Sequence, residues 1–115
     1  MLISILRNSN LQEGKMSNNF ILSKKAVEDL SGIWEYTIQI WSETQSDKYY
    51  FMLLGVCQDL ANGKVTAKQY PEIHSEILGT RAGQHIIFFR HVGKSTIEIV
   101  RILHSRMDLR SRMEE

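Results

Sequence analysis

Two amphipathic helical patterns that follow each other almost without a linker constrain the fold of this chain more than any other feature. The first begins after Ser23, a favourable helix N-cap, and apolar residues then recur at the spacing of one helix face from Ala26 to Trp41. The second begins at Ser42, which has a glutamine three residues later as in a capping box, and Gly63 is placed to end it. Two helices joined this tightly must form an antiparallel hairpin.

Short apolar runs on both sides of this hairpin are typical of strands. One run precedes it and three follow a polar loop; the runs are 20–22, 73–78, 85–91 and 96–103, and the loop is 64–72. The segments between the last three runs are short enough for antiparallel hairpins. The sequence therefore predicts an α+β fold, in which an N-terminal strand and an antiparallel helical hairpin pack on a three- to four-stranded antiparallel sheet.

The length of 115 residues allows one domain. Residues 1–15 show no sustained period and precede Met16, which opens the more regular part of the chain. We expect residues 1–15 to be an N-terminal extension, either upstream of the native start or poorly ordered, and residues 16–115 to form the single domain.

Two of the later strand patterns are apolar on both faces, over residues 86–89 and 99–103. One face can pack on the helices, and the other needs a cover because an open apolar sheet face is a liability. Arg90 and Arg101 lie in the same runs, and each needs water or an anionic partner. A partner protein that lays an apolar and acidic segment over the sheet would meet both needs. The alternative cover is residues 1–15 or the C-terminal tail.

Charge is segregated along the chain although the net charge is only +1. Residues 17–63 carry a charge of −3 and residues 81–112 carry +5, and six of the seven cations in the second range are arginines. The planar guanidinium group suits carboxylates and phosphates. This distribution favours an anionic partner for the second half of the chain, with a simple solvated basic face as the alternative.

The remaining chemistry is sparse. Cys57 is the only cysteine and lies on the apolar stripe of the second helix, which predicts a buried, unreactive thiol in a reducing compartment. No run approaches the roughly 18 apolar residues of a membrane span, so we expect a cytoplasmic protein without membrane contact. The histidines are dispersed and no cofactor motif is present, so we expect no metal and no cofactor; His85 and His91, at the two ends of one strand, are expected at the surface.

Catalysis has one weak candidate. The imidazole of His104 could exchange protons near neutrality, and the guanidinium groups of Arg81 and Arg101 could hold a scissile phosphate. Basic clusters bind more often than they catalyse, however. We therefore expect no catalytic residue and keep a ribonuclease as the alternative.

Three segments carry a resemblance to a known family: LSKKAVEDLSGIWEYTIQIWSETQSDKYYFML, AGQHIIFFRH and IEIVRILHSRMDLRSRM. They resemble the ParE toxins of bacterial type II toxin–antitoxin modules, in the RelE/ParE superfamily, over residues 20–113. The most specific part is the apolar strand that ends at 101–104 together with 106–109, supported by 33–36 and Trp41.

The resemblance implies a toxin that a ParD-like antitoxin from the same operon neutralises by direct binding, in a heterotetramer or larger hetero-oligomer, with a function in plasmid or prophage stabilisation. The ParE branch acts on DNA gyrase and blocks replication without a catalytic site of its own, so nucleic acid is met only through gyrase or through operator binding by the complex. The RelE branch cleaves messenger RNA on the ribosome and depends on basic residues plus a tyrosine or similar group near the C-terminus. No tyrosine follows Tyr70 here, which favours gyrase. A RelE-like endoribonuclease and a non-toxic, antitoxin-binding relative remain the alternatives.

Two sets of binding residues follow from these arguments. We expect the antitoxin to lie over the strands and to contact Phe88, Arg90, Ile99 and Arg101. The candidates for contact with the target are Arg81, His104, Arg106, Asp108 and Arg110.

Overall fold

The structure, a computed structural model, describes residues 18–114. The predicted extension at residues 1–15 lies outside them. The elements in chain order are β1 (Asn19–Leu22), α1 (Lys24–Ile40), α2 (Glu43–Ala61), β2 (Lys68–Gln69), β3 (Leu78–Ala82), β4 (His85–His91), β5 (Thr96–His104) and α3 (Leu109–Met113).

The helical hairpin forms as the sequence predicts. The hydroxyl of Ser23 accepts from the backbone N–H of Ala26 at 3.0 Å, and that of Ser42 accepts from Gln45 at 3.1 Å, so both predicted N-caps are confirmed. After α2 the chain turns at Gly63, whose φ of +73° suits glycine. Within residues 18–114 no helix is both long and apolar enough to cross a bilayer.

The sheet differs from the predicted one in strand number and in the direction of one strand. It has five strands in the order β1-β5-β4-β3-β2, with β1 parallel to β5 and the other pairs antiparallel. The extra strand, β2, is two exposed polar residues long and leaves no hydrophobic pattern in the sequence. The parallel pairing of β1 depends on where the helical hairpin returns the chain, which local patterns do not encode.

The predicted strand at 73–78 is wrong. The chain turns from Tyr70 to Ile77, with the N–H groups of residues 73 and 74 both donating to the carbonyl of Tyr70, and β3 instead occupies 78–82, most of which was predicted as a turn. Ile73 and Ile77 are apolar because they pack against a sheet face, not because they pair in the sheet.

The sheet has a hydrophobic core on each face. The larger core lies under the helices, with Leu30, Leu53, Cys57, Ile87 and Ile99 among its fully buried residues. The second, on the opposite face, comprises Tyr70, Ile77, Ile86, Phe88 and Leu103, with Ile73, Val100, Leu109 and Met113 packed against it.

The chain itself therefore covers the second sheet face, through the turns at 70–77 and helix α3. The sequence was right that both faces are apolar. Of the covers considered, the C-terminal tail contributes through α3, and residues 70–77 add a cover that the sequence did not predict. Cys57 is buried, as predicted, and burial raises the pKa of its thiol to about 12.

Candidate partner-binding groove at the basic end of the sheet

The four residues expected to contact an antitoxin do not share one accessible surface. Ile99 is fully buried beneath the helices, and Phe88 is fully buried in the opposite core. A β-bulge between Phe88 and Phe89 shifts the register against β5 at this point. Among the four, only Arg90 has an exposed side chain, and its Nε lies 2.8 Å from the Glu98 carboxylate. The chain's own segments cover both faces at these positions, so the four residues do not form one accessible surface in this structure, and their contact with an antitoxin stays a prediction.

The Arg101 side chain forms hydrogen bonds that connect three elements of the fold. Its Nε and Nη2 donate to the two carboxylate oxygens of Asp29 on α1 at 2.8 and 3.0 Å, and Nη1 donates to the carbonyl of Arg112. The backbone N–H of Ile102 donates to the same carboxylate at 2.9 Å. This bidentate, largely buried ion pair joins α1, β5 and α3. Arg101 is therefore not placed to hold a phosphate, so the three residues of the ribonuclease alternative do not form a site in this structure.

The residues expected to contact the target separate into two places. Arg81, His104 and Arg106 lie at the end of the sheet where the β3–β4 turn meets the end of β5, since residue 85 pairs with residue 104. Arg110 instead lines a cleft with Arg90 on the second sheet face. Asp108 is the N-cap of α3.

The Asp108 carboxylate accepts from the hydroxyl of Ser111 at 2.9 Å and from its backbone N–H, which lowers the carboxyl pKa. Its visible function in the structure is therefore to begin a helix. Nothing in this geometry distinguishes it as a contact to another molecule.

An open groove of about 570 Å³ lies between α1 and the segment that follows β5, at the end of the sheet that carries Arg81, His104 and Arg106. Three of its lining residues are exposed apolar side chains, since Tyr36, Ile40 and Met107 are 65, 57 and 40% exposed. Such a cluster of exposed apolar side chains marks an interaction site more often than a solvated surface. Tyr36 and Met107 entered the sequence analysis only as part of the segments that carry the family resemblance, and the sequence did not predict that they and Ile40 line one groove.

The floor of the groove is a hydrogen-bonded group that the sequence did not reveal. The hydroxyl of Tyr49 lies 2.6 Å from Nδ1 of His85 and accepts from the backbone N–H of Gln84 at 3.0 Å. The imidazole of His104 packs edge-on against that of His85, with ring centroids 5.2 Å apart. His85 is only 9% exposed, so its predicted surface position is wrong, whereas His91 is exposed as expected.

Gly83 leaves room for the Tyr49 ring beside the β3–β4 turn, and it is the one residue whose type indicates this contact in the sequence. Its φ is +59°, and a Cβ there would lie 2.7 Å from the Tyr49 ring. A glycine at a hairpin turn indicates either a backbone requirement or a close neighbour, but sequence alone cannot name the neighbour. Among residues 18–114, no group of three or more His, Cys, Asp or Glu side chains could hold a metal ion.

Burial and the neighbouring His104 lower the pKa of His85 to about 4, and Asp29 offsets part of this effect. The unfolded chain protonates this imidazole near its usual 6.5. Between these two pH values the chain takes up a proton when it unfolds. The contribution of the neutral His85 imidazole to the free energy of unfolding is therefore complete above pH 6.5 and falls as the pH drops toward 4. Below pH 4 it changes no further.

We expect acidification from pH 6.5 to 4 to cost about 2–3 kcal/mol through His85 alone, at 1.36 kcal/mol per pKa unit. Urea denaturation as a function of pH measures it. The control is His85→Asn, which keeps an acceptor near the Tyr49 hydroxyl but does not titrate, and its stability should fall less steeply over this range. Equal pH dependence in both proteins would contradict the assignment.

Comparison with solved structures identifies the fold. A chain of a structure titled "Chromosomal ParDE TA system from P. aeruginosa" superposes with a TM-score of 0.60 at 20% sequence identity, covering 77% of this chain and 96% of the other. The described residues thus form a small α+β protein with a fold found in a toxin–antitoxin system.

Sequence comparisons narrow the class to a family. The model of the family "ParE toxin of type II toxin-antitoxin system, parDE" matches residues 20–109. Toxin ParE1 of Mycobacterium tuberculosis is 33% identical over 94 residues, which are 82% of this chain and 96% of that protein. Toxin ParE of Escherichia coli is 31% identical over 96 residues, 84% of this chain and 93% of that protein. The chain belongs to the ParE toxin family.

Proposed function

We propose that this ParE-family chain arrests growth by inhibiting DNA gyrase, and that a ParD-type antitoxin neutralises it by direct binding in a hetero-oligomeric complex of four or more chains. The observation that carries the proposal is the family match over residues 20–109, which runs from the second residue of β1 to the first residue of α3. The ParDE title of the structural neighbour supports a ParD-type partner. Because gyrase acts on chromosomal DNA, the proposal also locates the toxin in the cytoplasm.

Binding rather than catalysis is favoured by the state of Arg101. The guanidinium that a ribonuclease would need for phosphate is neutralised by Asp29 inside the fold. Basic residues that stay exposed at the sheet end, such as Arg81 and Arg106, remain available to contact a target protein. Contact with nucleic acid would then occur through the gyrase–DNA complex or through operator binding by the toxin–antitoxin complex.

Induced expression of the full chain in a bacterial host without an antitoxin should stop growth, and co-expression of the antitoxin from the same operon should restore it. Growth curves and plating efficiency measure both effects. Normal growth despite accumulation of folded protein would contradict toxicity and leave a non-toxic, antitoxin-binding relative.

Assays with purified toxin distinguish gyrase from ribosome-bound messenger RNA as its target. We expect it to inhibit supercoiling by gyrase and to leave messenger RNA on ribosomes intact. His104→Ala gives a further discrimination, because loss of ribosome-dependent cleavage in a folded variant would favour the ribonuclease. Cleavage by the wild-type chain without gyrase inhibition would overturn the gyrase proposal.

A further inference from the structure

A small cleft at the β2–β3 edge of the sheet is lined by cations and hydroxyl groups and by no carboxylate of the described chain. It has a volume of about 440 Å³ and is separate from the groove beside α1. Its cationic lining residues are Lys68 and Arg81, and its hydroxyl groups belong to Thr66, Thr80 and Ser105. The groove beside α1 and the cleft beside α3 are each lined by two carboxylates. Of these three cavities, the β2–β3 cleft is therefore the one that favours an anion.

The register of the sheet places the two cations of this cleft on the same face. Lys68 pairs with Gly79, and Arg81 follows two residues later on β3, so all three positions face the same side. Residues in such a diagonal arrangement lie roughly 7–8 Å apart. Two cationic groups at this spacing repel each other, and an anion between them would remove the repulsion. None of the ion pairs within residues 18–114 involves Lys68 or Arg81.

Contacts within the fold position both cationic groups. The Lys68 ammonium lies 5.1 Å from the centroid of the Tyr70 ring. That ring lies against Gly79, where a Cβ would approach it to 2.7 Å, so the glycine makes room for it. The Nε of Arg81 donates to the carbonyl of Gly83 at 3.2 Å, which leaves the two Nη groups for a ligand. Side chains that are positioned in advance lose less entropy when a ligand binds.

The chemistry of the cleft favours the backbone of a nucleic acid. Ammonium, guanidinium and hydroxyl groups bind phosphate oxygens, and Lys68 and Arg81 are both exposed. Tyr70 is the one aromatic residue of the described lining and is only 9% exposed, so it cannot serve as a platform on which a base stacks. Under the proposed function the toxin meets the gyrase–DNA complex, and duplex DNA carries one negative charge per about 1.7 Å of its axis. The cleft is therefore suited to phosphates and not to bases.

We propose that this cleft holds a backbone phosphate of the DNA that gyrase binds, between Lys68 and Arg81, so that the toxin contacts the DNA directly as well as the enzyme. The inference rests on the proposed function, because that function supplies the gyrase–DNA complex. Phosphate contacts fix the position of a protein without reading the bases, so this contact should not depend on the DNA sequence.

The test compares the affinity of the full-length toxin for gyrase alone and for gyrase that carries a duplex DNA, by fluorescence anisotropy of labelled toxin. The wild type should bind the DNA-loaded enzyme more tightly. Lys68→Gln and Arg81→Gln should each reduce this DNA-dependent increase in affinity by about 5- to 10-fold at about 0.1 M salt. For the DNA-loaded enzyme, each should also lower the slope of log affinity against log salt by about 0.9, the value for one phosphate contact.

Two exposed lysines on other surfaces provide the matched controls. Lys25 lies on α1 and Lys94 lies in the β4–β5 turn, both outside the cleft. Lys25→Gln and Lys94→Gln remove the same charge and should keep the full DNA-dependent increase. Far-ultraviolet circular dichroism and thermal unfolding verify that all four variants are folded.

The outcomes distinguish this inference from the function beneath it. If the wild type binds gyrase in neither state, the proposed function fails and the inference fails with it. If the wild type binds equally well with and without DNA, or if Lys68→Gln and Arg81→Gln keep the full increase, the inference is overturned while the function stands. Equal weakening of these two variants with and without DNA would assign the cleft to a carboxylate of gyrase and would also overturn it.

Inorganic phosphate is the second probe, because it carries the same chemistry without the polymer. It should shift the side-chain resonances of Lys68 and Arg81 in nuclear magnetic resonance spectra, and an excess of it should abolish the DNA-dependent increase in affinity. Shifted resonances in a toxin whose affinity for gyrase does not respond to DNA would assign the cleft to a free anion and would overturn the inference.

Discussion

Replacing Asp29 by asparagine should remove about 3–5 kcal/mol from the free energy of unfolding, the range for breaking a largely buried ion pair by neutralising one of its two members. The carboxylate accepts three hydrogen bonds, two from the guanidinium and one from the backbone of Ile102. An asparagine preserves the shape but presents one acceptor oxygen and an NH2 group that opposes the guanidinium. Urea denaturation followed by circular dichroism measures the loss.

The neighbouring Glu28→Gln provides the matched control for the Asp29 substitution. Glu28 is exposed on the same helix, so its neutralisation should change stability by less than about 0.5 kcal/mol. The double variant Asp29→Leu, Arg101→Met should recover most of the stability, since apolar residues can replace a buried ion pair. A mild effect of Asp29→Asn, comparable to that of Glu28→Gln, would show that the pair is solvated.

Truncating Phe88 to alanine should cost about 3–5 kcal/mol, the usual range for a fully buried phenylalanine. The ring packs edge-on against Tyr70 at 5.1 Å between centroids, with Ile77, Ile86 and Leu103 in the same cluster. Its removal leaves a cavity that the sheet cannot close. Chemical denaturation gives the magnitude. Phe51→Ala is the control, because Phe51 on α2 is 42% exposed and should cost clearly less.

The Phe88 substitution also tests which cover the second sheet face has in solution. In the structure that cover is residues 70–77 with α3, so the cost appears as stability in the isolated toxin. If Phe88→Ala left stability unchanged and instead weakened antitoxin binding, the face would be open and Phe88 would be the partner contact that the sequence suggested. Measuring both quantities on the same variant separates the two cases.

Where a signal is local, the sequence predicts this protein well. The N-cap serines, the helical hairpin and strands β4 and β5 follow from capping chemistry and from apolar spacing, which act over a few residues. The apolar character of both sheet faces was also correctly read from 86–89 and 99–103. The α+β arrangement was predicted from the same patterns, and the structure confirms it.

Two predictions depended on tertiary contacts that the sequence pattern does not encode. Ile73 and Ile77 are apolar because they cover the second core, and their sequence pattern is indistinguishable from that of a short strand. Ile99 and Phe88 were expected to contact one partner, but Ile99 pairs with Phe89, so Ile99 and Phe88 lie on opposite faces of the sheet. In these two cases the apolar character of the segment was interpreted correctly, and the part of the chain that covers it was not predicted.

The sequence alone determined the helical hairpin, strands β1, β4 and β5, the two-sided hydrophobic sheet and the basic character of the C-terminal half, because these depend on composition and spacing along the chain. Tertiary structure decided which charged side chains are neutralised inside the fold and which stay accessible to solvent. Asp29 is 72 residues from Arg101 and neutralises it, Tyr49 is 36 residues from His85 and fixes its hydrogen bond, and α1 meets the segment after β5 to form the groove. Contacts between residues so distant in sequence arise from how the sheet and helices pack, and no local pattern records them.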